Sequence, residues 1–308
     1  MTIKPAMLRS GDTIGVVTLG SPLAPTTIQA RINTLQRLGF RVVVGNYAYD
    51  AQGLVAASAQ ARAADLMGMF HDSDVRLILP TRGGTGVIDI LPYLDYAYIS
   101  AHPKIVSGYS DISVLLNTLY SYADLMTLHS LMLIDFKMET PAYNFNQFFT
   151  AASTLDSPRT IVNPPAMAPP VGLVPGDVTA PVVGGNMTSL VGSLGTAYEW
   201  ITDGKIVFLE ETHEPVNRVY RYLTQLLLAG KFRRCAGIVM GQCTDCAVAY
   251  GQSYDDLIRE LLVPLGVPLL TGVATGHGIY KAAIPIGAMA RLNATASTFT
   301  LLEPSVTV

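Results

Sequence analysis

Residues 104–113 combine the residue types that a hydrolytic site needs. An apolar run leads into Gly108, Ser110 follows two residues later, and residues 112–122 have helical spacing. A strand, a tight turn and a helix in this order lift a hydroxyl out of a sheet. They also place it beside the N–H groups and the positive dipole end of the helix. The pattern predicts either a nucleophilic Ser110 or a helix start capped by Ser110 or Asp111 without any chemistry.

A serine nucleophile needs a base, and the chain has five histidines. A hydroxyl attacks efficiently only when a base takes its proton and a third group orients that base. His277 lies between two glycines after an apolar run, where an uncrowded backbone can bring an imidazole close to a substrate; the alternative is a histidine in a surface turn. His129 is either a base or a core residue, whereas His71 and His102 lie in polar loops and are predicted to be solvated.

Glu210 is the best-placed orienting carboxylate. It ends the apolar run 206–209, and a buried acid at such a position needs a partner or a shifted pKa. The alternative is a structural ion pair with Arg218 or Arg221 on the next helix. Glu211 and Glu214 fall in the following turn and are predicted to be exposed.

The glycine turn RGGTG at 82–86 follows another strand-like run. Its backbone N–H groups, together with the N–H of Asp111, could stabilise an oxyanion. The alternative is a phosphate or nucleotide loop, but the segment lacks the Lys-Ser/Thr of a P-loop and the glycine spacing of a dinucleotide site. We therefore expect neither a cofactor nor a metal.

Composition limits the class of protein. The chain has 308 residues, of which 50% are hydrophobic and 14% charged, and its net charge is −3. This balance supports a large buried core and argues against a nucleic-acid partner. We expect no membrane span, since no apolar run is long enough, and no secretory signal. Three cysteines predict a reducing cytoplasm without a disulfide framework. The 243–246 CxxC pair lacks the further ligands of a zinc site and is expected to have neither a metal nor a redox role.

Strand-like and helix-like segments alternate through the first half of the chain. This alternation predicts a parallel sheet covered on both faces, with ligands bound beyond the carboxyl ends of its strands. The glycine turn and Ser110 both fall at such ends, so we expect them to be neighbours. The predicted strands are 13–19, 41–44, 75–80 and 104–107, and the predicted helices are 26–38, 59–70, 112–122 and a helix beginning at 87–91.

Six prolines interrupt residues 155–177 and predict an extended linker. The predicted organisation is an α/β domain at 1–150 carrying the nucleophile, a Pro-rich linker at 151–177 and a second domain at 178–308. In the second domain the patterns predict strands at 180–183, 205–210, 237–242 and 268–272, a hairpin-like pair at 288–293 and 298–302, and helices at 187–194, 215–228 and 254–262.

Taken together, the motifs resemble the LD-carboxypeptidase family of serine peptidases, which includes murein tetrapeptide carboxypeptidases and microcin C immunity peptidases. The resemblance runs nearly end to end. It is carried in order by LRSGDTIGV at 8–16, RGGTG at 82–86, GYSDI at 108–112, GGNM at 184–187, FLEE at 208–211 and GHG at 276–278. It departs from the family pattern at 127–132, where a His-Gly-Pro stretch is common in the family.

The resemblance implies a fold and a set of roles. The implied fold is a flavodoxin-like or Rossmann-like N-terminal domain, a strand-rich C-terminal domain and an active site in the groove between them. The implied triad is Ser110, His277 and Glu210. The implied oxyanion donors are the backbone N–H groups of Gly84 and Asp111.

The resemblance also implies a small peptide substrate. Its leaving group would be a C-terminal D-amino acid, as in a murein tetrapeptide, so a basic group must meet a carboxylate. Arg82 and Arg221 are the candidates, and either could instead be a surface ion-pair residue. Tyr109 and Asn186, which lie within matching motifs, are further expected substrate-binding residues. A cytoplasmic homodimer is expected.

Two other functions remain open from the sequence. A microcin C immunity-type peptidase would cleave an aminoacyl-nucleotide amide with the same triad and should need an aromatic side chain to stack on the base. The single tryptophan, Trp200, lies in the predicted second domain and none lies in the predicted linker, which favours the murein substrate. A non-catalytic protein with two lobes closing on a small ligand is the other possibility.

Overall fold

The computed structural model describes residues 2–308 and divides the chain into two compact units. The first unit comprises the chain up to Leu155 together with two returning segments, Ala283–Ile286 and Ser305–Val308. The second comprises Asp156–Ala282 and Gly287–Pro304.

The first unit is a six-stranded sheet with helices between its strands. Its strands are β1 (Thr13–Val17), β2 (Arg41–Val44), β3 (Val75–Pro80), β4 (Ile105–Gly108), β5 (Thr127–His129) and β12 (Ile284–Ile286). Its helices are α1 (Pro25–Arg37), α2 (Ala59–His71), α3 (Tyr96–Ala101), α4 (Ile112–Ala123) and α5 (Ala142–Ser153), with 3₁₀ segments at Val87–Tyr93 and Leu133–Asp135. The predicted strands and helices of this half are confirmed to within two residues at their ends, except that the helix predicted to begin at 87–91 is the 3₁₀ segment.

The strand order of this sheet is β12-β5-β4-β3-β1-β2, and all pairs but β12–β5 are parallel. The order reverses between β1 and β3, which is the position where doubly wound sheets open a crevice at the strand carboxyl ends. Helix α1 covers the sheet through its buried face, where Ile28, Ile32 and Leu35 pack into the core. The parallel sheet predicted for the first half is therefore confirmed.

The second unit is an eight-stranded sheet. Its strands are β6 (Arg159–Thr160), β7 (Val171–Val174), β8 (Asp177–Asn186), β9 (Ile206–Thr212), β10 (Gly237–Thr244), β11 (Leu269–Val273), β13 (Met289–Asn293) and β14 (Thr298–Leu301). Its helices are α6 (Met187–Val191), α7 (Val216–Leu228) and α8 (Tyr254–Leu261), with a 3₁₀ segment at Val263–Leu265. The strand order is β6-β14-β13-β8-β9-β10-β11-β7, with a parallel centre, β8 to β11, between antiparallel edges. The prediction of a strand-rich C-terminal half is confirmed.

Residues 151–177, predicted as a linker, belong partly to this sheet. Strand β6 pairs with β14, and β7 pairs with β11. Prolines flank these strands, at Pro158 before β6 and at Pro170 and Pro175 around β7. Both strands are at the edges of the sheet, where a missing N–H leaves no neighbouring strand unpaired. The prolines therefore mark edge strands as well as turns, and the long segment of the first unit ends at Leu155.

The cysteines also differ from the prediction. Cys243 and Cys246 are joined by a disulfide, whereas Cys235 is free and buried. The expectation of a chain without disulfides is therefore wrong for this pair, because backbone geometry at the end of β10 brings the two residues together. None of the helices within residues 2–308 is long and apolar enough to cross a membrane.

Candidate active site

Ser110 occupies a strained turn between β4 and α4. Its φ is 61°, in the left-handed region that non-glycine residues rarely adopt. The residue at the start of α4 is Asp111, and it makes no side-chain capping hydrogen bond. The prediction of a Ser- or Asp-capped helix start is therefore wrong, and the hydroxyl of Ser110 is not used to satisfy the helix terminus. A strained turn that presents a serine at a strand-to-helix junction is the geometry of a nucleophile elbow.

The glycine turn after β3 packs directly against Ser110. A Cβ atom on Gly83 would lie 2.7 Å from Cβ of Ser110 and 2.9 Å from its Oγ. Gly84 has a φ of 90°, and a Cβ there would lie 2.3 Å from Oγ of Ser21. Ser21, in the turn after β1, donates its N–H to the carbonyl of Gly83 at 3.1 Å and accepts the N–H of Thr85 at 3.1 Å. The predicted proximity of the glycine turn and Ser110 is confirmed, and only glycine fits this close approach.

A buried arginine ties these turns together. Arg62 is 1% exposed and donates to the carbonyls of Ala57 at 2.9 Å, Gly86 at 2.7 Å and Leu19. Burial lowers the pKa of its guanidinium, while Asp89 at 3.6 Å acts in the opposite direction. Because Leu19 follows β1 and Gly86 follows β3, Arg62 holds the ends of the two strands that flank the reversal of strand order.

Asp111 links the Ser110 turn to the same region. Its carboxylate accepts the N–H of Val87 at 2.8 Å, at the start of the 3₁₀ segment after the glycine turn. This bond fixes the glycine turn relative to the start of α4. Among residues 2–308 the N–H of Gly84 donates to no protein acceptor, so this group remains available to a ligand.

In the second unit, His277 and Glu210 form a hydrogen-bonded pair. Nδ1 of His277 lies 2.8 Å from Oε2 of Glu210, whose side chain is fully buried, while the histidine side chain is 15% exposed. A carboxylate can only accept, so in this pair Nδ1 of a neutral imidazole carries the proton and Nε2 holds the lone pair. The pair can therefore accept a proton at Nε2. Glu210 is held by the histidine and not by Arg218, which pairs instead with Glu214 at 2.8 Å.

Glycines on both sides of His277 make room for its partners. Gly276 has a φ of 91°, and a Cβ there would lie 2.2 Å from Oε2 of Glu210. A Cβ on Gly278 would lie 1.9 Å from Oε1 of Gln242. The Glu210 carboxylate occupies the position that a side chain at residue 276 would take. The Gly-His-Gly motif therefore provides room for neighbouring side chains as well as backbone freedom.

Glu211, predicted to be exposed, is only 1% exposed. Its carboxylate accepts from Nδ2 of Asn186 at 3.0 Å, from the N–H and hydroxyl of Thr188 at 2.8 and 2.7 Å, and from the N–H of Thr212 at 2.9 Å. Burial raises its pKa, partly offset by these hydrogen bonds. The prediction failed because strand β9 continues to Thr212, so Glu210 and Glu211 point to opposite faces of a buried strand.

The remaining predicted site residues have different surroundings. Tyr109 is 7% exposed, and its hydroxyl donates to Oδ1 of Asp135 at 3.2 Å. Asn186 begins α6 and accepts the N–H of Ser189 at 3.1 Å. Arg82 is half-buried and Arg221 is exposed, and among residues 2–308 neither makes an ion pair.

The structure thus groups the predicted residues in two sets. Ser110, Asp111, Gly84, Arg82 and Tyr109 lie in the first unit. The second unit holds Glu210, His277, Asn186 and Arg221. Of the other histidines, His129 is buried, and His71 and His102 are exposed beside Tyr98, as expected for solvated residues.

Sequence reasoning missed Arg62, Ser21 and Glu211. Arg62 lies one turn before Leu66 on the apolar face of α2, and a charge at a core position is a signal of a buried hydrogen-bonding role. Ser21 and Glu211 carried no comparable local signal. In the part of the chain that the structure describes, no cluster of three or more His, Cys, Asp or Glu side chains could hold a metal ion.

Comparisons with known proteins agree with this arrangement. The family description "LD-carboxypeptidase N-terminal domain" matches residues 14–130, and "LD-carboxypeptidase C-terminal domain" matches residues 179–292. The chain is 32% identical, over 99% of its length and 96% of the other, to a protein of Bacillus subtilis (strain 168) named probable murein peptide carboxypeptidase. It is 27% identical to the murein tetrapeptide carboxypeptidase of Pseudomonas aeruginosa, over 91% and 92% of the two chains.

A solved structure of the microcin C7 self-immunity protein MccF in its apo state superimposes with a TM-score of 0.91. The match covers 99% of this chain and 100% of that chain at 25% sequence identity. This chain therefore has the fold of that structure.

Proposed function

Because this chain belongs to the LD-carboxypeptidase family and is thereby a serine carboxypeptidase, we propose that it acts on murein peptides. The bond cleaved would be the amide between an L-centre, such as that of meso-diaminopimelate, and a C-terminal D-amino acid. The two relatives named for murein peptides, one of which is 32% identical across the whole chain, support this substrate class.

We assign the chemistry to Ser110, His277 and Glu210. Nε2 of His277 takes the proton of the Ser110 hydroxyl as its oxygen attacks the amide carbonyl, and then gives that proton to the leaving amine. Glu210 keeps the imidazole in the tautomer with Nδ1–H and stabilises the imidazolium. Water then hydrolyses the acyl-enzyme by the same steps in reverse order, which regenerates Ser110.

Backbone N–H groups around Ser110 would stabilise the oxyanion. The proposed donors are Gly84, whose N–H has no protein acceptor, and Asp111, at the positive end of the α4 dipole. One well-placed donor lowers such a barrier by about 3–4 kcal/mol. The contact between Gly83 and Ser110 supports the assignment because it keeps this glycine turn beside the attacking oxygen.

The substrate carboxylate needs a cation. Arg82 and Arg221 are proposed for this role because neither is committed to an ion pair within residues 2–308. Arg82 directly precedes the glycine turn that packs against Ser110. Tyr109 and Asn186 are proposed to bind the substrate. Tyr109 directly precedes Ser110 in the chain, and Asn186 is the register partner of Glu210 between β8 and β9.

The observation that carries the proposal is the 2.8 Å hydrogen bond between Nδ1 of His277 and a fully buried Glu210. A buried carboxylate that orients a partly exposed imidazole has the geometry of a general base. An ordinary surface histidine would have its ring in solvent and would need no such partner.

The test is hydrolysis of L-alanyl-γ-D-glutamyl-meso-diaminopimelyl-D-alanine, with released D-alanine measured by mass spectrometry. We expect turnover by the natural chain and its loss in Ser110→Ala and His277→Ala. His102→Ala, a change at an exposed histidine, is the matched control and should keep full activity. Undiminished activity in Ser110→Ala or His277→Ala would rule out the assigned roles.

Cleavage of an aminoacyl-nucleotide amide is a second candidate function. The TM-score of 0.91 with the microcin C7 self-immunity protein favours it. The triad would serve both reactions, so the two functions are separated by the substrate: aspartyl sulfamoyl adenosine is tested beside the murein peptide, with released aspartate measured by mass spectrometry. We expect faster turnover of the murein peptide. Turnover of the adenosine compound alone would instead make cleavage of an aminoacyl-nucleotide amide the preferred function.

We further propose that the chain is a cytoplasmic enzyme of murein recycling and that it works as a homodimer. Cell fractionation with antibody detection tests the compartment. Light scattering on the purified chain tests the assembly, where a mass near twice 32.9 kDa is expected.

A further inference from the structure

The disulfide between Cys243 and Cys246 closes a short loop at the end of β10. Cys243 is the register partner of Glu211 on β9. Asp245, within the loop, has a φ of 55°, so the chain turns sharply between the two sulfurs. Strand β10 pairs with β9, which carries Glu210 and Glu211. The disulfide therefore fixes the segment that follows β10.

Both cysteines lie beside a cavity. Cys243 and Cys246 are partly exposed, and both line a cavity of about 550 Å³ in the second unit. Thr271 and Gly272 of β11 and Val171 of β7 form part of its wall. A cavity of this volume admits a small thiol or a small disulfide.

Cys235 provides a contrast within the same unit. It is buried, and burial raises the pKa of its thiol to about 11. Thiolate is the nucleophile in thiol–disulfide exchange, so this cysteine is a poor reactant. The chain thus contains one partly exposed cysteine pair and one buried cysteine, Cys235, that serves as an unreactive control for thiol labelling.

The loop also holds the segment that follows the proposed catalytic glutamate. The N–H of His213 donates to the carbonyl of Thr244 at 2.8 Å, and the N–H of Val216 donates to the carbonyl of Ala247 at 2.9 Å. These two bonds anchor the connection from β9 to α7. Loosening the 243–247 loop therefore loosens the connection directly after Glu210.

A second route leads from the same loop to His277. Gln242, directly before Cys243, fills the space beside Gly278, where a Cβ would lie 1.9 Å from its Oε1. Gly241 lies against Glu210, where a Cβ would be 3.1 Å from the Glu210 Cβ. The end of β10 thus touches both sides of the His277–Glu210 pair.

We propose that Cys243 and Cys246 are a redox modification site, which exchanges with thiols of the glutathione class and sets the activity of the adjoining His277–Glu210 pair. One thiolate attacks a sulfur of the disulfide, giving a mixed disulfide and releasing one cysteine thiolate. A second thiolate attacks the mixed disulfide and releases the other cysteine. The protein disulfide gains two electrons and two protons, and two small thiols become one small disulfide. The disulfide form is the active one, and the effect on activity rests on the proposed function.

The experiment equilibrates the full chain in buffers with different ratios of reduced to oxidised glutathione. Iodoacetamide then labels free thiols without denaturation, and mass spectrometry of peptides locates the label. We expect Cys243 and Cys246 to change together from unlabelled to labelled as the buffer becomes reducing, with Cys235 unlabelled throughout. Amide hydrogen exchange at His213 and Val216 should become faster over the same range.

Activity is measured on the same samples by D-alanine release. We expect kcat to fall several-fold on reduction and to recover on reoxidation. Cys243→Ser/Cys246→Ser should show the low value in every buffer, and Cys235→Ser should respond like the natural chain. A pair that stays unlabelled at every ratio, or a labelled pair with unchanged kcat and unchanged amide exchange, overturns the proposal. If no buffer gives D-alanine release, the proposed function fails, whereas labelling and amide exchange still decide whether the pair is a redox site that controls its neighbours.

Discussion

The fit between Gly276 and Glu210 allows a direct test of how the histidine is oriented. In Gly276→Ala the new Cβ would lie 2.2 Å from Oε2 of Glu210, and 2.6 Å from both its Cδ and Cγ. Ordinary contact needs about 3.5 Å, so the carboxylate must move by roughly 1 Å or the backbone must shift. Either movement takes the 2.8 Å bond to His277 out of hydrogen-bond range.

Two contributions set the size of the effect. An alanine at a φ of 91° costs about 1–2 kcal/mol of stability. Loss of a hydrogen bond to a charged group costs about 1.5–3 kcal/mol more. If the free energy of this hydrogen bond is lost from the transition state, kcat falls about 10- to 100-fold, while KM changes little.

Gly266→Ala is the matched control. Gly266 also has a positive φ, 67°, but a Cβ there meets nothing within 4 Å. It should lose about 1–2 kcal/mol in urea unfolding and keep the natural kcat. If Gly276→Ala keeps a kcat within about twofold of the control, the argument that this glycine positions the carboxylate is refuted.

Three other substitutions test neighbouring features. Gly83→Ala, whose Cβ would lie 2.7 Å from that of Ser110, should lower kcat in the D-alanine assay, whereas Gly68→Ala, which meets nothing within 4 Å, should not; equal rates would disprove the packing argument. Ser110→Gly should abolish activity yet raise stability in urea unfolding by about 0.5–1 kcal/mol, because relief of the left-handed φ exceeds the added chain entropy; lower stability would show that the turn is unstrained. Since burial raises the pKa of Glu211, the folded chain holds this proton more tightly than the unfolded chain. The stabilisation from this proton is therefore complete below the ordinary value of 4.5 and is lost as pH rises through the raised pKa. Glu211→Gln should gain stability relative to the natural chain across that range, as measured by urea unfolding at several pH values, and a constant difference would contradict the assignment.

Local sequence predicted the elements of the site well. Ser110 and His277 each follow an apolar strand and Glu210 lies near the end of one, and such positions are visible in the alternation of apolar and turn residues. The carboxyl ends of neighbouring parallel strands share an edge, so the contact between the glycine turn and Ser110 followed from topology. The alternative of a capped helix start was wrong, because α4 begins at Asp111 without a side-chain capping hydrogen bond and Ser110 has a positive φ.

The sequence alone thus determined the two α/β halves, the order of their motifs and the residue types available for hydrolysis, since these depend on periodicity and spacing. Tertiary structure decided which residues are buried together. Arg62 binding the ends of two strands, Glu211 buried beneath Asn186, and the edge strands formed from a proline-rich stretch all rest on partners at least 20 residues away. The partners in these contacts leave no periodic trace, because each depends on where distant segments are placed by the fold; for Arg62 the sequence signals burial on the apolar face of α2 but not which strand ends it binds. The turn at Ser110 combines both kinds of information: its residues are local in the sequence, and the glycine turn that packs against it comes from a different strand end.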